Sequence, residues 1–292
     1  MYRRTLAAFL APLILFAQED EAPPAPEAEP RVEIKTAPPA KPMPVATPLP
    51  VSRAAPAAPS APAKVTYSQC NVDGPYIAMT YDDGPHGVQT PRLLDMLKQR
   101  RIKATFFVVG KCVAEYPEIA RRIVAEGHEI ANHSWSHPTL SSMTEASVRE
   151  QLDRTHQVIK QATGIETRLF RPPYGAFTQR QRNWAHAIYG YRTILWDVDT
   201  LDWKHRSPAR TEAIAMEQTK SGSIILTHDI HKATIDAMPS LLDGLLAKGF
   251  KFVTVSELIA MDRPQPRKPA ATPAVTADAP SAPSPALRSS AR

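Results

Sequence analysis

Two adjacent acids, Asp82 and Asp83, stand in the stretch TYDDGP, where an apolar run gives way to Gly84 and Pro85. On a straight strand, successive side chains point to opposite faces, so both carboxylates reach one cleft only where the pleat is released. Asp-Gly-Pro is equally a common turn, so a chemical reading needs partners elsewhere. NHSWSHP supplies them. Its His133 and His137 lie four residues apart, and one helical turn would put both imidazoles on one side. Without an acid partner, such a histidine pair is ordinary surface or capping material. With one carboxylate it makes a three-ligand metal site that keeps a position open for water. The second carboxylate is then free to take a proton from that water, whose pKa a divalent ion lowers. His228, in ILTHDIH, suits the acid that protonates a departing amine, while His231 reads as a surface residue.

These side chains have to be delivered by separate elements. YIAMTYDD, ATFFVVG, HEIANH, RLFRPP, YRTILWDVD, SIILTH and FKFVTV read as strands, several of them apolar on both faces. Helical patterns alternate with them. Thr90-Pro91 opens one helix with proline at its first position, and Pro117 to Glu126 forms another, closed by Gly127. Ser142 and Glu145 have capping-box spacing ahead of a long helix, and Ser207-Pro208 begins a helix running to Gly222. Strand–helix alternation predicts an α/β fold with parallel strands, either a barrel or an open sheet. In such folds ligands bind beyond the carboxyl ends of the strands. Asp82, Asp83, His133, Arg171, Asp199 and His228 all fall at or just past a predicted strand end.

The rest of the chain is compositionally different. It has 292 residues, of which 30 are proline, concentrated from Glu19 to about Lys64 and again from Pro264 onward. Ala/Pro tracts lack the large apolar side chains that offset chain entropy and favour extended conformers, which predicts disordered tails. The expected organisation is therefore an N-terminal segment 1–17, a linker 18–64, one folded domain 65–262 and a basic Pro-rich tail 263–292. MYRR followed by the apolar run Leu6 to Ala17 is too short to span a membrane, which takes roughly 20 residues. It fits a secretory signal, with Ala17 as a cleavage point and a short uncleaved anchor as the alternative. Export to the periplasm, the cell envelope or the medium follows either way. Cys70 and Cys112 are the only cysteines; if their strands are parallel neighbours, the thiols lie at opposite ends, and the pairing stays open. The formal charge is +6, with an isoelectric point near 9.3, which suits an anionic envelope polymer but is also ordinary for solubility.

Taken in order, the motifs resemble the polysaccharide deacetylases with a NodB-homology domain, also called carbohydrate esterase family 4, from Tyr76 to Ile259. They are TYDDG, HSWSH, RPPY, DTLDW and LTH, with Tyr81 standing where the family usually has phenylalanine. The resemblance implies a (β/α) barrel distorted to roughly seven parallel strands, with a groove across the strand ends. It implies Asp82 as general base, with Asp83, His133 and His137 as ligands of one divalent metal ion. That ion is expected to be Zn²⁺, with Co²⁺, Ni²⁺ or Fe²⁺ as substitutes. It further implies that Arg171 orients Asp82, that the Tyr174 N–H helps hold an oxyanion, and that Asp202 tunes His228 as general acid. Trp203 would wall the groove and Leu226 border an acetyl pocket.

Each of these residues also has a plainer reading: Arg171 as a strand-end ion-pair partner, Trp203 as core, Asp199 as a structural acid bonding the Arg171 loop. Trp135 is expected to pack under the histidine loop without touching substrate. The implied activity is hydrolysis of N-acetyl groups on N-acetylglucosamine units of a polysaccharide. WDVDTLDW with THDIH resembles bacterial peptidoglycan deacetylases, while SQCNVDG and SHPTLSSM resemble chitin deacetylases. Acetylated xylan is the third substrate. A non-catalytic envelope polysaccharide-binding protein is the rival class, and a metallopeptidase is disfavoured because Ser-Trp-Ser separates the histidines. Neither nucleic acid nor a membrane partner beyond the N-terminal anchor is expected, and the sequence does not fix an oligomeric state.

Overall fold

The computed structural model describes residues 64–263; the expectations for 1–17, for most of 18–64 and for nearly all of 263–292 lie outside them. The described residues contain nine strands: β1 (Thr66–Tyr67), β2 (Tyr76–Asp82), β3 (Thr105–Val108), β4 (Glu129–Asn132), β5 (Leu169–Phe170), β6 (Arg192–Ile194), β7 (Val198–Asp199), β8 (Ile224–His228) and β9 (Lys251–Phe252). Between and after them run α1 (Gln89–Arg100), α2 (Gly110–Glu115), α3 (Pro117–Ala125), α4 (Glu145–Thr163), α5 (Gln179–Tyr189), α6 (Asp202–His205), α7 (Pro208–Gln218), α8 (Lys232–Ala247) and α9 (Val255–Ala260). None of these helices is long and apolar enough to cross a membrane.

The strands are parallel and ordered β1-β6-β5-β4-β3-β2-β8-β7, with β9 pairing only the start of β2. One stretch of chain shows that this sheet is curled. β6 lies next to one end of the order, inside only the two-residue β1, and β7 at the other, yet only Leu195, Trp196 and Asp197 separate them. Four Cα steps span at most ~14 Å, so the two ends must come together as a barrel. The bridging segment is tied on both sides, by Leu195 N–H to the Tyr67 carbonyl (2.7 Å) and Asp197 N–H to the Ile224 carbonyl (3.3 Å). The expected seven-strand barrel is thus present in β2 to β8, with β1 and β9 as short additions. The single run YRTILWDVD is two strands because it crosses this seam.

Alternation along the strands sorts the core into two parts. Ile77, Met79 and Tyr81 of β2, with Phe106, Ile130 and Ile225, pack outward against Leu93, Leu97, Ile123 and Leu241 of the surrounding helices. Ala78, Phe107, Ala131, Leu169, Ile194 and Ile224 form the inner cluster. Parity therefore aims Asp82, His133, Arg171 and His228 inward, each an even number of residues beyond an inner apolar position. The opposite end is closed by α9, whose Val255, Leu258 and Ile259 join the inner cluster. FKFVTV, expected as a strand throughout, pairs only at Lys251–Phe252. Thr254 and Glu257 then form a capping box that turns the chain into α9. Lys64 and Asn71 both bond Asp262 at this end, so the described unit begins and finishes at its base.

Three helix boundaries differ from expectation. Pro91 is the third residue of α1 rather than its first, a place equally free of an N–H demand. The cap of α4 is Thr144, whose hydroxyl accepts the Ser147 N–H, so the Ser142–Glu145 box does not form and Ser142 ends a 3₁₀ turn instead. α7 stops at Gln218, short of Gly222. Cys70 and Cys112 are unpaired. Cys70 abuts Gly222 below β8, while Cys112 sits in α2 just past the carboxyl end of β3, so opposite ends of the barrel keep them apart.

Gly222 has φ +83°, and a Cβ there would lie 1.8 Å from the Cys70 carbonyl oxygen. Gly249 has a similar φ of +85° but open space around it. Gly222→Ala should therefore lower the unfolding free energy by about 2 kcal/mol or more, and Gly249→Ala by about 1 kcal/mol. Urea titration of the two variants checks this, and equal losses would contradict the close contact.

Candidate active site

At the carboxyl end of the barrel, one ligand atom from each of Asp83, His133 and His137 comes within 4.8 Å of the others. Asp83 Oδ1 lies 3.5 Å from His133 Nε2 and 3.4 Å from His137 Nε2, is buried, and accepts no hydrogen bond. His133 Nδ1 is 2.7 Å from the Arg171 carbonyl oxygen. A carbonyl only accepts, so Nδ1 carries the proton and Nε2 turns a lone pair toward the acids. Lone pairs that converge in this way call for a cation, and two imidazoles with one carboxylate fit a divalent metal ion. The field agrees. Burial opposes protonation of His133, but Asp82 and Asp83 outweigh it and raise its pKa. Burial likewise opposes ionisation of Asp83, yet the nearby imidazoles hold its carboxyl well below the usual range.

Local backbone geometry makes this convergence possible. Asp83 has φ +76°, which breaks the strand alternation and swings its carboxylate to the same cleft as Asp82. The histidine motif is not the helical turn expected from its spacing. It is a bend in which Ser134 (φ +69°) and His137 (φ +58°) are left-handed, and Gln151 Oε1 accepts the N–H groups of Trp135 and Ser136. Tyr174 (φ +59°) and Leu201 (φ +54°) share that conformation in the two remaining loops. Non-glycine residues held there are costly and concentrate where a site requires them. Trp135 packs against Gly110, with Arg154 4.0 Å over its ring, and supports the bend from outside the cleft.

Asp82 is the last residue of β2 and 2% exposed. Arg171 Nη1 donates to its Oδ1 at 2.7 Å, leaving Oδ2 aimed at the metal cluster, 3.6 Å from His133 Nε2. His228 stands directly beside Asp82 in the β2–β8 register. Its Nδ1 is 2.9 Å from Asp202 Oδ1, while Asp202 Oδ2 accepts the His228 N–H (2.9 Å) and the Thr234 hydroxyl (2.6 Å). Burial disfavours a charged His228, but Asp202 prevails and pushes the imidazole up to about 9. The proton it can give therefore sits on Nε2.

A cavity of about 380 Å³ joins these groups; Tyr174, Trp203 and Leu226 also line it, as does Asp199. Tyr174 and Trp203 are exposed walls, while Leu226 is nearly buried. Asp199 does not bond the Arg171 loop; its Oδ1 accepts the Leu201 N–H at 2.9 Å. Sequence reasoning missed Trp196 and Pro172 in the lining, and also Asp229. Trp196 lies on the seam between two strands, where no period marks it. Asp229 is fully buried behind the Asp83 loop, 2.5 Å from the Thr90 hydroxyl, and its carboxylate would be 2.3 Å from any Cβ at Gly84. That contact explains why glycine follows the paired acids. His231, expected on the surface, is half-buried with its ring 5.9 Å from that of His228.

Asp202→Asn removes the charge that raises His228. The imidazolium should then lose its proton at lower pH, so the alkaline limb of any activity depending on it moves down the pH scale. A pH–rate profile of the variant checks the sign, and an unmoved limb would exclude His228 as the proton donor.

Comparison with known proteins agrees with this geometry. The polysaccharide deacetylase family model matches residues 70–194. The peptidoglycan-N-acetylglucosamine deacetylase PgdA of Listeria monocytogenes is 40% identical over 182 residues, covering 62% of this chain; the chain spans only 38% of that relative's length. A peptidoglycan-N-acetylglucosamine deacetylase of Bacillus cereus is 36% identical over 193 residues, covering 63% of this chain and 70% of the relative. The crystal structure of the Bc1960 peptidoglycan N-acetylglucosamine deacetylase superposes with a TM-score of 0.65 at 33% identity, covering 68% of this chain and 96% of that one. The chain belongs to the polysaccharide deacetylase family.

Proposed function

We propose that the chain is a metal-dependent hydrolase that removes N-acetyl groups from N-acetylglucosamine units of peptidoglycan. The observation that carries this reading is the Asp83–His133–His137 cluster lying beside Asp82, whose second oxygen is free, with His228 next to it on the neighbouring strand. When bound there, a divalent ion supplies Lewis acidity and lowers the pKa of a coordinated water. Two imidazoles and one carboxylate favour zinc.

The protein's own groups supply the remaining steps. Asp82, fixed by Arg171, takes the proton of the attacking water through Oδ2. The Tyr174 N–H, for which no acceptor exists among the described residues, faces the developing oxyanion. His228 Nε2 gives its proton to the departing amine, and Asp202 stabilises the imidazolium beforehand. Trp203 and Trp196 flank the sugar, and Leu226 borders the acetyl methyl group. Peptidoglycan as polymer is supported by the named activities of the relatives. The basic, apolar N-terminus and an envelope substrate together support export to the periplasm or cell envelope. The catalytic domain is taken as 65–262, and the Pro-rich stretches on either side as spacers.

Asp82→Asn should lower acetate release by at least about 10²-fold while leaving bound metal unchanged, because the residue accepts a proton and is not a ligand. Acetate release from peptidoglycan and from chito-oligomers, with and without a chelator, is the accompanying assay. Loss of metal in the variant would exchange the roles of the two acids, and full activity after chelation would overturn the proposal.

A further inference from the structure

We infer that Asp199 determines which sugar is deacetylated: its unpartnered oxygen receives a hydroxyl that an N-acetylglucosamine unit offers and a muramic acid unit lacks. This rests on the deacetylase reading above. Each of the other carboxylates in the site has its oxygens assigned. Asp82 holds Arg171 with one and takes the water's proton with the other, and Asp83 belongs to the metal cluster. Asp202 accepts from His228 twice and from Thr200 and Thr234. Asp199 lines the cavity and uses only Oδ1, on the Leu201 N–H. That bond fixes its orientation, because the left-handed Leu201 leads straight into Asp202.

Its position suits substrate. Asp199 is in register with Leu226, two residues before His228, so Asp82, His228 and Asp199 stand on three neighbouring strands of one wall. Trp196 and Trp203 line the same cavity. Indole faces stack on the apolar face of a pyranose, which leaves its hydroxyl edge for a polar acceptor.

An acceptor without a neighbouring cation suits a hydroxyl. Three carboxylates line the cavity, and no lysine or arginine does. Arg171 is the nearest guanidinium, but it is fully buried and commits its donors to Thr80, Asp82, Ile194 and Leu195. With Arg171 offsetting Asp82, a divalent ion is balanced by Asp83 and Asp199, and His228 must surrender its positive charge during the reaction. Nothing in the cavity would hold a substrate carboxylate. An N-acetylglucosamine unit carries a free hydroxyl on the carbon next to its acetamide. In muramic acid that oxygen is an ether bearing a lactyl group, amide-linked to the peptide stem in peptidoglycan, with no proton to donate and with added bulk.

The test uses the full chain loaded with zinc. Peptidoglycan treated with the protein, then digested with a muramidase and weighed by mass spectrometry, should show acetyl loss on glucosamine only. Asp199→Asn keeps the Leu201 bond but replaces a charged acceptor with a neutral one, so KM for a chitotetraose substrate should rise about tenfold. The contact is made in ground and transition states alike, so kcat should stay within about threefold, with metal content unchanged. Acetyl loss from muramic acid, or an unchanged KM in the variant, would overturn the inference while leaving the deacetylase reading intact. No acetate from any polymer would overturn both.

Discussion

The buried ion pair between Arg171 and Asp82 is the constraint around which the barrel interior is arranged. Two charges taken out of water carry a desolvation cost that close geometry alone does not offset; the remaining donors and acceptors must also be satisfied. Here they are. Arg171 reaches Asp82 Oδ1 and Thr80 Oγ1 at 2.7 Å each, and the carbonyls of Ile194 and Leu195, with the Phe107 ring 4.1 Å beneath the guanidinium. Thr80 passes the chain of bonds on to the Ile225 carbonyl. One side chain thereby links β2, β6 and β8 from the end of β5, and its own carbonyl sets the tautomer of His133. Removing either partner of such a pair typically costs on the order of 3–5 kcal/mol, because the other charge is left alone in an apolar interior. Asp82, His133 and the inner wall of the groove therefore share a single anchor.

Much of this was legible in the sequence for a simple reason. Parallel strands buried on both faces read as apolar runs, and their polar exits are conspicuous against that background. Asp82, His133, Arg171 and His228 each break such a run at its carboxyl end, and inward parity brings them together. The features that escaped are those that depend on departures from regular geometry. The His133–His137 spacing suggests a helix, but Ser134 and His137 adopt left-handed angles and build a bend with the same outcome by another path. Trp196 belongs to neither β6 nor β7, and its role comes from the seam between them. α9 hides behind a strand-like hydrophobic start, although Thr254 and Glu257 do carry a helix signal. Asp229 follows His228, and nothing in the one-dimensional pattern says that Gly84 must leave room for it.

The same cleft pushes similar groups in opposite directions. His228 rises to about 9 because Asp202 outweighs burial, whereas His231 falls to about 4, where burial and Arg206 act together. Two imidazoles with rings 5.9 Å apart thus divide at neutral pH into one charged and one neutral. Asp229 shows the converse case. Burial, with Asp83 close by, moves its acid up to about 7 against the hydrogen bond from Thr90. A carboxylic acid inclined toward neutrality beneath the Asp83 loop spares that loop a further full negative charge.

The base of the barrel has a consequence of its own. Lys64 and Asp262 meet there, on the side closed by α9 and remote from the groove. Whatever the chain carries before residue 64 or after residue 263 is attached to the back of the molecule. A tether at either end would therefore hold the domain by its foot and leave the mouth of the groove unobstructed by the points of attachment.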